Sequence, residues 1–143
     1  MHLFSKLTGL KTLLIDDSED IRDALGLAFR RHNCFITTAS TGEQGLRVLE
    51  GERFDVVICD FQLPGISGIK FFRQVTRSHP HTVRMMITGF DNPETIARAG
   101  DSGVHEFVRK PFSLITFMDR LIPYVDKYLD EKPDYLKGRA IAG

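Results

Sequence analysis

The sequence predicts an α/β fold with a doubly wound parallel sheet, and three observations support this. Five short apolar segments of strand length occur along the chain, and amphipathic helical patterns separate them. Polar residues stand at the ends of four of these segments, namely the first, third, fourth and fifth. Strands that alternate with helices form βαβ units, and right-handed crossovers then leave a parallel sheet covered on both faces. With 143 residues the chain has the length of one domain.

The first two strands are predicted over residues 12–15 and 34–39. After the first strand, Asp17 or Ser18 is a suitable N-cap for a helix. That helix would bury one face, made of Ile21, Ala24, Leu25 and Ala28. After the second strand, two overlapping capping boxes are possible, pairing Ser40 with Glu43 and Thr41 with Gln44.

The third strand is predicted over residues 56–59, the fourth over 83–87 and the fifth over 104–108. A helix over residues 68–77 follows the third strand and would bury one of the two rings of Phe71-Phe72. Asn92-Pro93 predicts an N-cap followed by proline at the first helical position, in a helix that ends near Gly100.

The last helix carries an apolar stripe from Leu114 to Val125 and contains Pro123. Proline removes a backbone hydrogen bond inside a helix. We therefore expect a bend near residues 119–123 or a separate helical turn after it. Five units of this kind fit the flavodoxin-like strand order 2-1-3-4-5 with five helices. The predicted division is an N-terminal extension over 1–10, the domain over 11–127, and a polar tail or linker stump over 128–143.

Composition excludes several classes of protein. Nineteen basic residues balance nineteen acidic ones, so neither nucleic acid nor an acidic membrane is favoured as a partner. Cys34 and Cys59 lie in apolar segments outside any CxxC motif and are predicted to be buried, reduced thiols. His79 and His81 flank a proline and are interpreted as a solvated pair. Neither a membrane span nor a signal peptide is evident, so we expect a cytoplasmic protein.

Polar residues at the strand ends point to chemistry. In an open parallel sheet the carboxyl ends of the strands share one edge, where ligands bind. Three carboxylates gathered there would repel one another by about 3 kcal/mol per pair at ~5 Å and an effective dielectric of ~20. Oxygen ligands with room for phosphate oxygens suit Mg²⁺. The residues brought together would be Asp16, Asp17, Asp60, Thr88 and Lys110.

From residue 11 to residue 125 the sequence resembles the receiver domains of two-component response regulators. The motifs that carry the resemblance are Leu14-Ile15-Asp16-Asp17, Cys59-Asp60-Phe61-Gln62-Leu63-Pro64-Gly65, Ile87-Thr88-Gly89 and Arg109-Lys110-Pro111-Phe112. Each motif alone is weak, and all four in order are specific. The resemblance implies that Asp60 accepts a phosphoryl group from a histidine kinase or phosphotransfer protein. It also implies that Asp17, Asp60 and the backbone carbonyl of Gln62 bind Mg²⁺ directly, with Asp16 acting partly through water.

The resemblance further implies how the phosphoryl group is read. Lys110 would pair with it, and Thr88 would form a hydrogen bond to it and move. Phe107 would then turn inward and reshape the face built from the fourth helix, the fifth strand and the fifth helix. That face would contact an output domain, a protein target or a second copy of the chain. The bond before Pro111 would be cis.

Two positions near the site are expected to tune the lifetime of the phosphoryl group. Gln62 lies two residues beyond Asp60, and Phe90 lies two residues beyond Thr88. The resemblance implies that these positions border the path of the hydrolytic water. Bulky Phe90 is predicted to screen the acyl phosphate, whereas Gln62 would orient water.

Other functions fit the sequence less well. A phosphatase or phosphotransferase of the haloacid-dehalogenase type needs Asp-x-Asp after the first strand, and this chain has Asp16-Asp17-Ser18. A nucleotide- or flavin-binding domain needs a glycine-rich phosphate loop, and neither GxGxxG nor GxxxxGK[ST] occurs. A receiver-like interaction module that works without phosphorylation stays open as an alternative. The protein is therefore expected to catalyse only its own phosphorylation and dephosphorylation.

Overall fold

A computed structural model of the protein describes residues 2–89 and 92–132. Five parallel strands form one sheet in the order β2-β1-β3-β4-β5, as predicted. The strands are β1 Lys11–Ile15, β2 Phe35–Ala39, β3 Val56–Asp60, β4 Val83–Thr88 and β5 Glu106–Arg109. The helices are α1 Glu19–Arg31, α2 Gly42–Gly51, α3 Gly68–Ser78, α4 Pro93–Gly100 and α5 Leu114–Glu131, and a 3-10 helix over His2–Leu7 precedes them.

The register of the sheet aligns the carboxyl ends of its strands. Ile15 pairs with Cys59, and Asp60 pairs with Ile87. Thr88 pairs in turn with Arg109 of β5. The residues that follow β1 and β5, and those that end β3 and β4, therefore lie along the same edge.

Two hydrophobic clusters enclose the sheet, one on each face. The first lies between the sheet and helices α1 and α5, and the second lies between the sheet and helices α2 and α3 and includes Ala99 of α4. Every residue of β3 and β4 is buried. This burial explains why those segments are almost continuously apolar in sequence, as expected for central strands covered on both sides.

A side-chain cap starts each α-helix. In every case the side-chain oxygen accepts a hydrogen bond from the amide three residues later. The caps are Ser18, Thr41, Ser67, Asn92 and Ser113. Of the two capping boxes predicted for α2, the pair of Thr41 and Gln44 supplies the cap, whereas Glu43 turns away to another loop.

Three details of the core differ from the expectations. Phe71 and Phe72 are both fully buried, because Gly45 on α2 leaves room for the Phe71 ring. Ala24 is exposed rather than buried. Strand β5 begins at Glu106 instead of residue 104, after a turn in which Gly103 has a positive φ of 95°.

Helix α5 continues through Pro123 to Glu131, so the predicted separate turn is wrong. Pro123 is exposed, as is Asp119, whose carbonyl loses its helical donor. Water can therefore satisfy this group, which lowers the cost of the proline. The helix also extends beyond the boundary expected at residue 127, and Tyr128 in this part donates a hydrogen bond to Asp55.

The residues before β1 are part of the packed structure. Phe4, Leu7 and Leu10 are buried in the first cluster. The Phe4 ring meets Phe29 of α1 edge-on at 5.4 Å between centroids, and the Lys6 ammonium lies 3.2 Å from a carboxylate oxygen of Asp126 on α5. Among the described residues, no helix combines the length and apolarity needed to cross a membrane.

Candidate functional site

Three carboxylates meet at the carboxyl edge of the sheet. Asp16, Asp17 and Asp60 each offer an oxygen, and these oxygens lie within 4.8 Å of one another. Asp16 is fully buried and Asp60 is 5% exposed, whereas Asp17 is exposed. The site therefore combines two sheltered carboxylates with one that is open to solvent.

Local hydrogen bonds fix the segment between β1 and α1. The Asp16 amide donates to the carbonyl of Ala39 at 3.1 Å, which continues the pairing with β2. One carboxylate oxygen of Asp16 accepts a hydrogen bond from the amide of Ser18 at 2.9 Å. Arg22 reaches back from α1 and donates to the Asp16 carbonyl at 2.6 Å. Asp16 is thus held through both its backbone and its side chain.

Lys110 lies between the two buried carboxylates. Its ammonium nitrogen is 3.0 Å from Asp60 Oδ2 and 3.1 Å from Asp16 Oδ2. The second distance is that of an ion pair without the alignment of a hydrogen bond, since Asp16 Oδ2 has no hydrogen-bond partner in the described part of the chain. The Lys110 amide donates to the carbonyl of Thr88 at 2.8 Å, and the Lys110–Pro111 bond is cis.

The charges in the site are unbalanced. Three carboxylates face one ammonium group. Burial raises the pKa of Asp60, and the charge of Asp16 raises it further, although Lys110 and the amide of Gln62 act in the opposite direction. Burial alone would lower the pKa of Lys110, but its contacts with Asp60 and Asp16 raise it overall. Lys110 therefore stays charged, and excess negative charge remains.

The donor set fits a hard divalent cation. All the available donors are oxygens, and the buried Asp16 Oδ2 lacks a hydrogen-bond donor among the described residues. Mg²⁺ is commonly held by one or two carboxylates together with water and phosphate oxygens. A cation in this position would offset the repulsion that Lys110 leaves uncompensated.

The other predicted residues lie around this centre. Thr88 is buried at the end of β4, one residue beyond the partner of Asp60 in the register. Phe107 is half-buried against the cluster beneath α2 and α3. The Gln62 side chain is exposed, and its amide donates to Asp60 Oδ1 at 3.3 Å. Phe90 lies outside the described residues.

Two contacts in the surroundings of the site have no counterpart in the sequence predictions. Arg22 donates a hydrogen bond to the Asp16 carbonyl. The one sequence signal for this contact is the position of Arg22 in the first turn of the helix that follows the acidic pair. Glu43 accepts a hydrogen bond from the amide of Ile66, which is 23 residues away. No local pattern indicates such a long-range contact.

A buried cysteine directly precedes Asp60 in β3. Cys59 is fully buried, and its thiol contacts the carbonyl of Asp60 at 3.3 Å. Burial raises its pKa well above the ordinary value, and the charges of Asp60 and Asp16 add to this effect. Cys34 is also buried and free. Both cysteines are buried and outside any disulfide, which agrees with the predicted burial.

Comparison with known proteins identifies the family. Residues 12–122 match the response regulator receiver domain. The transcriptional regulatory protein AfsQ1 of Streptomyces coelicolor is 33% identical over 69% of this chain and 44% of its own length. The response regulator protein PilR of Pseudomonas aeruginosa is 31% identical over 73% of this chain and 23% of its own length. The chain therefore spans less than half the length of these curated relatives.

Solved structures agree with the fold. A CheY-like response regulator receiver domain protein from Methanospirillum hungatei superimposes with a TM-score of 0.80 at 23% identity, over 86% of this chain and 99% of that one. The beryllofluoride-activated NtrC4 receiver domain dimer gives a TM-score of 0.76 at 26% identity, over 82% and 98%. The match over residues 12–122, with which the acidic site and its lysine agree, shows that the chain belongs to the response regulator receiver domains of two-component signalling.

Proposed function

We propose that Asp60 accepts a phosphoryl group in a Mg²⁺-dependent reaction and that the resulting aspartyl phosphate switches the surface of the domain. The observation that carries the proposal is the contact of Asp60 with Lys110 at 3.0 Å, next to the carboxylates of Asp16 and Asp17. This arrangement provides a nucleophile, a fixed positive charge and an oxygen site for a cation at one sheet edge.

The reaction is a displacement at phosphorus. A carboxylate oxygen of Asp60 attacks the phosphorus of a phosphohistidine, and the bond from phosphorus to the imidazole nitrogen breaks. The nitrogen keeps the electron pair and takes a proton from solvent. Mg²⁺, held by Asp17, Asp60 and the carbonyl of Gln62 and partly through water by Asp16, would neutralise charge on the phosphoryl oxygens. Lys110, already 3.0 Å from Asp60, supplies a second positive charge.

The positions of Thr88 and Phe107 support the proposed switch. Thr88 ends the strand next to Asp60, so its hydroxyl is a suitable donor to a phosphoryl oxygen. Phe107 lies on the neighbouring strand β5, paired with Met86. Movement of Thr88 toward the phosphoryl group would let Phe107 turn inward. The phosphorylated form can prevail only through contacts that it makes in one of the two states.

The partners of this chain follow from its family. Receiver domains interact with histidine kinases and with output domains. For this chain we infer a kinase or phosphotransfer protein as donor and an output domain or protein target that contacts the α4–β5–α5 face. Ile96 of α4 and Ile115 of α5 are exposed on these helices. The same face is the proposed contact in a homodimer, and the receiver domain of NtrC4 has been solved as a dimer. The expected place of action is the cytoplasm.

The lifetime of the phosphoryl group depends on access of water to Asp60. The Phe90→Ala variant is expected to lose its phosphoryl group faster than the wild type, because a bulky apolar side chain no longer screens the site. The measurement is the decay of phosphorylated protein after removal of the donor. A variant at an exposed phenylalanine, Phe35→Ala, is the matched control. An unchanged decay rate in Phe90→Ala would contradict the screening role.

A small phosphodonor tests the proposed function directly. The protein is incubated with acetyl phosphate and Mg²⁺, and its intact mass is compared with that of Asp60→Asn. The proposal predicts one added phosphoryl group in the wild type and none in the variant or when EDTA replaces Mg²⁺. Absence of any adduct in the wild type would favour an interaction module that works without phosphorylation.

A further inference from the structure

The loop that joins β3 to α3, residues 61–67, comes directly after the acceptor carboxylate and contains Gln62. Its ends are fixed by the backbone. The amide of Phe61 donates to the carbonyl of Ile87 at 2.8 Å, and the amide of Gly68 donates to the carbonyl of Phe61 at 3.1 Å. A Cβ atom on Gly68 would collide with the backbone oxygen of Asp60, so α3 begins directly against the end of β3.

The middle of this loop is held from a different element. Glu43 lies in the first turn of α2, and its Oε2 accepts a hydrogen bond from the amide of Ile66 at 3.1 Å. Its other oxygen, Oε1, is buried without a hydrogen-bond partner in the part of the chain that the structure describes. Burying a carboxylate oxygen without a hydrogen-bond donor costs free energy. Since nearly all buried polar atoms have a partner, this oxygen needs a specific explanation.

Two glycines let the loop and α2 approach each other closely. Gly65 has a positive φ of 76°, and a Cβ atom there would collide with the Glu43 carboxylate. On the other side, a Cβ atom on Gly42 would lie 2.6 Å from Cγ1 of Ile66. The Glu43 carboxylate therefore occupies the space that a side chain at position 65 would need. The loop has little room to shift relative to α2.

We propose that Glu43 is a positioning residue for the acidic site. By fixing the amide of Ile66, it keeps the loop in the conformation that presents the Gln62 backbone to the cation and to the phosphoryl group. This inference rests on the proposed function, in which Gln62 contributes a ligand oxygen. It adds an element, α2, that neither touches the reacting atoms nor provides a ligand. The effect depends on the reach of the Glu43 side chain rather than on its charge.

Two substitutions separate reach from charge. Glu43→Asp keeps the charge but is too short to reach the Ile66 amide, whereas Glu43→Gln keeps the reach and an acceptor oxygen but loses the charge. Gln44→Ala is the matched control, since Gln44 lies in the same turn and its side chain accepts a hydrogen bond from the Ser40 amide instead of contacting the loop. The measurements are Mg²⁺ affinity by calorimetry and hydrogen exchange of the amides of residues 61–67 in metal-free protein.

Glu43→Asp is expected to weaken Mg²⁺ binding about tenfold, which is the lower end for groups that orient metal ligands. It should also speed exchange at Ile66. Glu43→Gln should stay within about threefold of the wild type by the same reasoning, and Gln44→Ala should match the wild type in both measurements. Wild-type affinity and exchange in Glu43→Asp, or an equal loss in Gln44→Ala, would overturn the inference. A loss in Glu43→Gln with none in Glu43→Asp would assign the effect to charge and would also overturn it.

The outcome can be separated from that of the proposed function. If the wild type binds Mg²⁺ but accepts no phosphoryl group, the proposed function fails, while a weakened Glu43→Asp would still support the positioning role. If the wild type is phosphorylated and Glu43→Asp behaves like it in metal affinity and exchange, the positioning role fails alone. Thermal unfolding of each variant shows whether a change in metal affinity merely follows a loss of folded protein.

Discussion

At the scale of single residues, the site depends on one lysine shared by two sheltered carboxylates. Lys110 lies 3.0 Å from Asp60 and 3.1 Å from Asp16, and burial raises the pKa of Asp60 despite this contact. Asp60 alone resembles any carboxylate before a turn. Its chemistry comes from the neighbours that the sheet places around it.

The pKa of Asp60 has a consequence for stability in the absence of divalent cations. An unfolded aspartate titrates near pH 3.9. Because the pKa of folded Asp60 is raised, the folded state binds more protons between the two values, and the free energy of unfolding falls as the pH rises through this range. The Asp60→Asn variant has no carboxyl group to ionise at this position, so its free energy of unfolding does not fall in this way. We expect the variant to be the more stable protein at neutral pH in EDTA and the difference to vanish below about pH 3.9.

Urea unfolding at a series of pH values in EDTA measures this difference. Addition of Mg²⁺ should stabilise the wild type more than Asp60→Asn, because the variant lacks one of the three clustered carboxylates. A wild-type protein that gains stability relative to the variant as the pH rises in EDTA would contradict the electrostatic account of the site.

At the scale of elements, the N-terminal 3-10 helix and the last turns of α5 close the end of the domain opposite the site. Phe4 is 2% exposed and packs on Phe29, and both Phe4 and Leu7 belong to the same cluster as α5. Residues 2–10 and 123–132 lie outside the matched family region, residues 12–122. Both segments pack on the core that the matched region forms.

Removal of the Phe4 ring tests the contribution of the first segment. Phe4→Ala is expected to lower the free energy of unfolding by about 3–4 kcal/mol, because a fully enclosed ring is replaced by a cavity. Phe35→Ala is the control, since that ring is 59% exposed and should cost less than about 1 kcal/mol. Chemical denaturation gives both values. Equal effects of the two substitutions would mean that the N-terminal segment adds nothing to the stability of the core.

The second segment is anchored by a buried ion pair. Asp55, 2% exposed before β3, accepts hydrogen bonds from the Lys11 amide at 2.8 Å and from the Tyr128 hydroxyl. The Lys132 ammonium lies 3.6 Å from the same carboxylate. Asp55→Ala would leave that ammonium buried without its counterion, at an expected cost of about 3 kcal/mol.

The same denaturation experiment separates charge from packing. The double variant Asp55→Ala, Lys132→Met should recover part of the loss, because no buried charge then lacks a partner. Asp130→Ala is the control on the exposed side of α5 and should change stability by less than about 0.5 kcal/mol. A fully wild-type stability in Asp55→Ala would show that the ion pair does not anchor the helix.

At the scale of the whole molecule, alternation of strands and helices was enough to predict the fold. It placed Asp16, Asp60 and Lys110 at one edge because parallel strands all end on the same side. Contacts over long separations could not be predicted. The hydrogen bond from Ile66 to Glu43 and the burial of Phe4 depend on which elements pack together, and a local pattern carries no such signal. For Pro123 the sequence left a bend or a separate helical turn open, and the continuous helix over Leu114–Glu131 excludes the separate turn.

Chemical trapping of the phosphorylated protein identifies which aspartate carries the phosphoryl group. After reaction with acetyl phosphate and Mg²⁺, borohydride reduces an acyl phosphate to an alcohol, so a phosphorylated aspartate becomes homoserine. Peptide mass mapping then locates the altered residue among Asp16, Asp17 and Asp60. We expect homoserine at position 60 in the wild type and at no aspartate in Asp60→Asn. Homoserine at position 16 or 17 of the wild type, or at none of the three, would contradict this expectation.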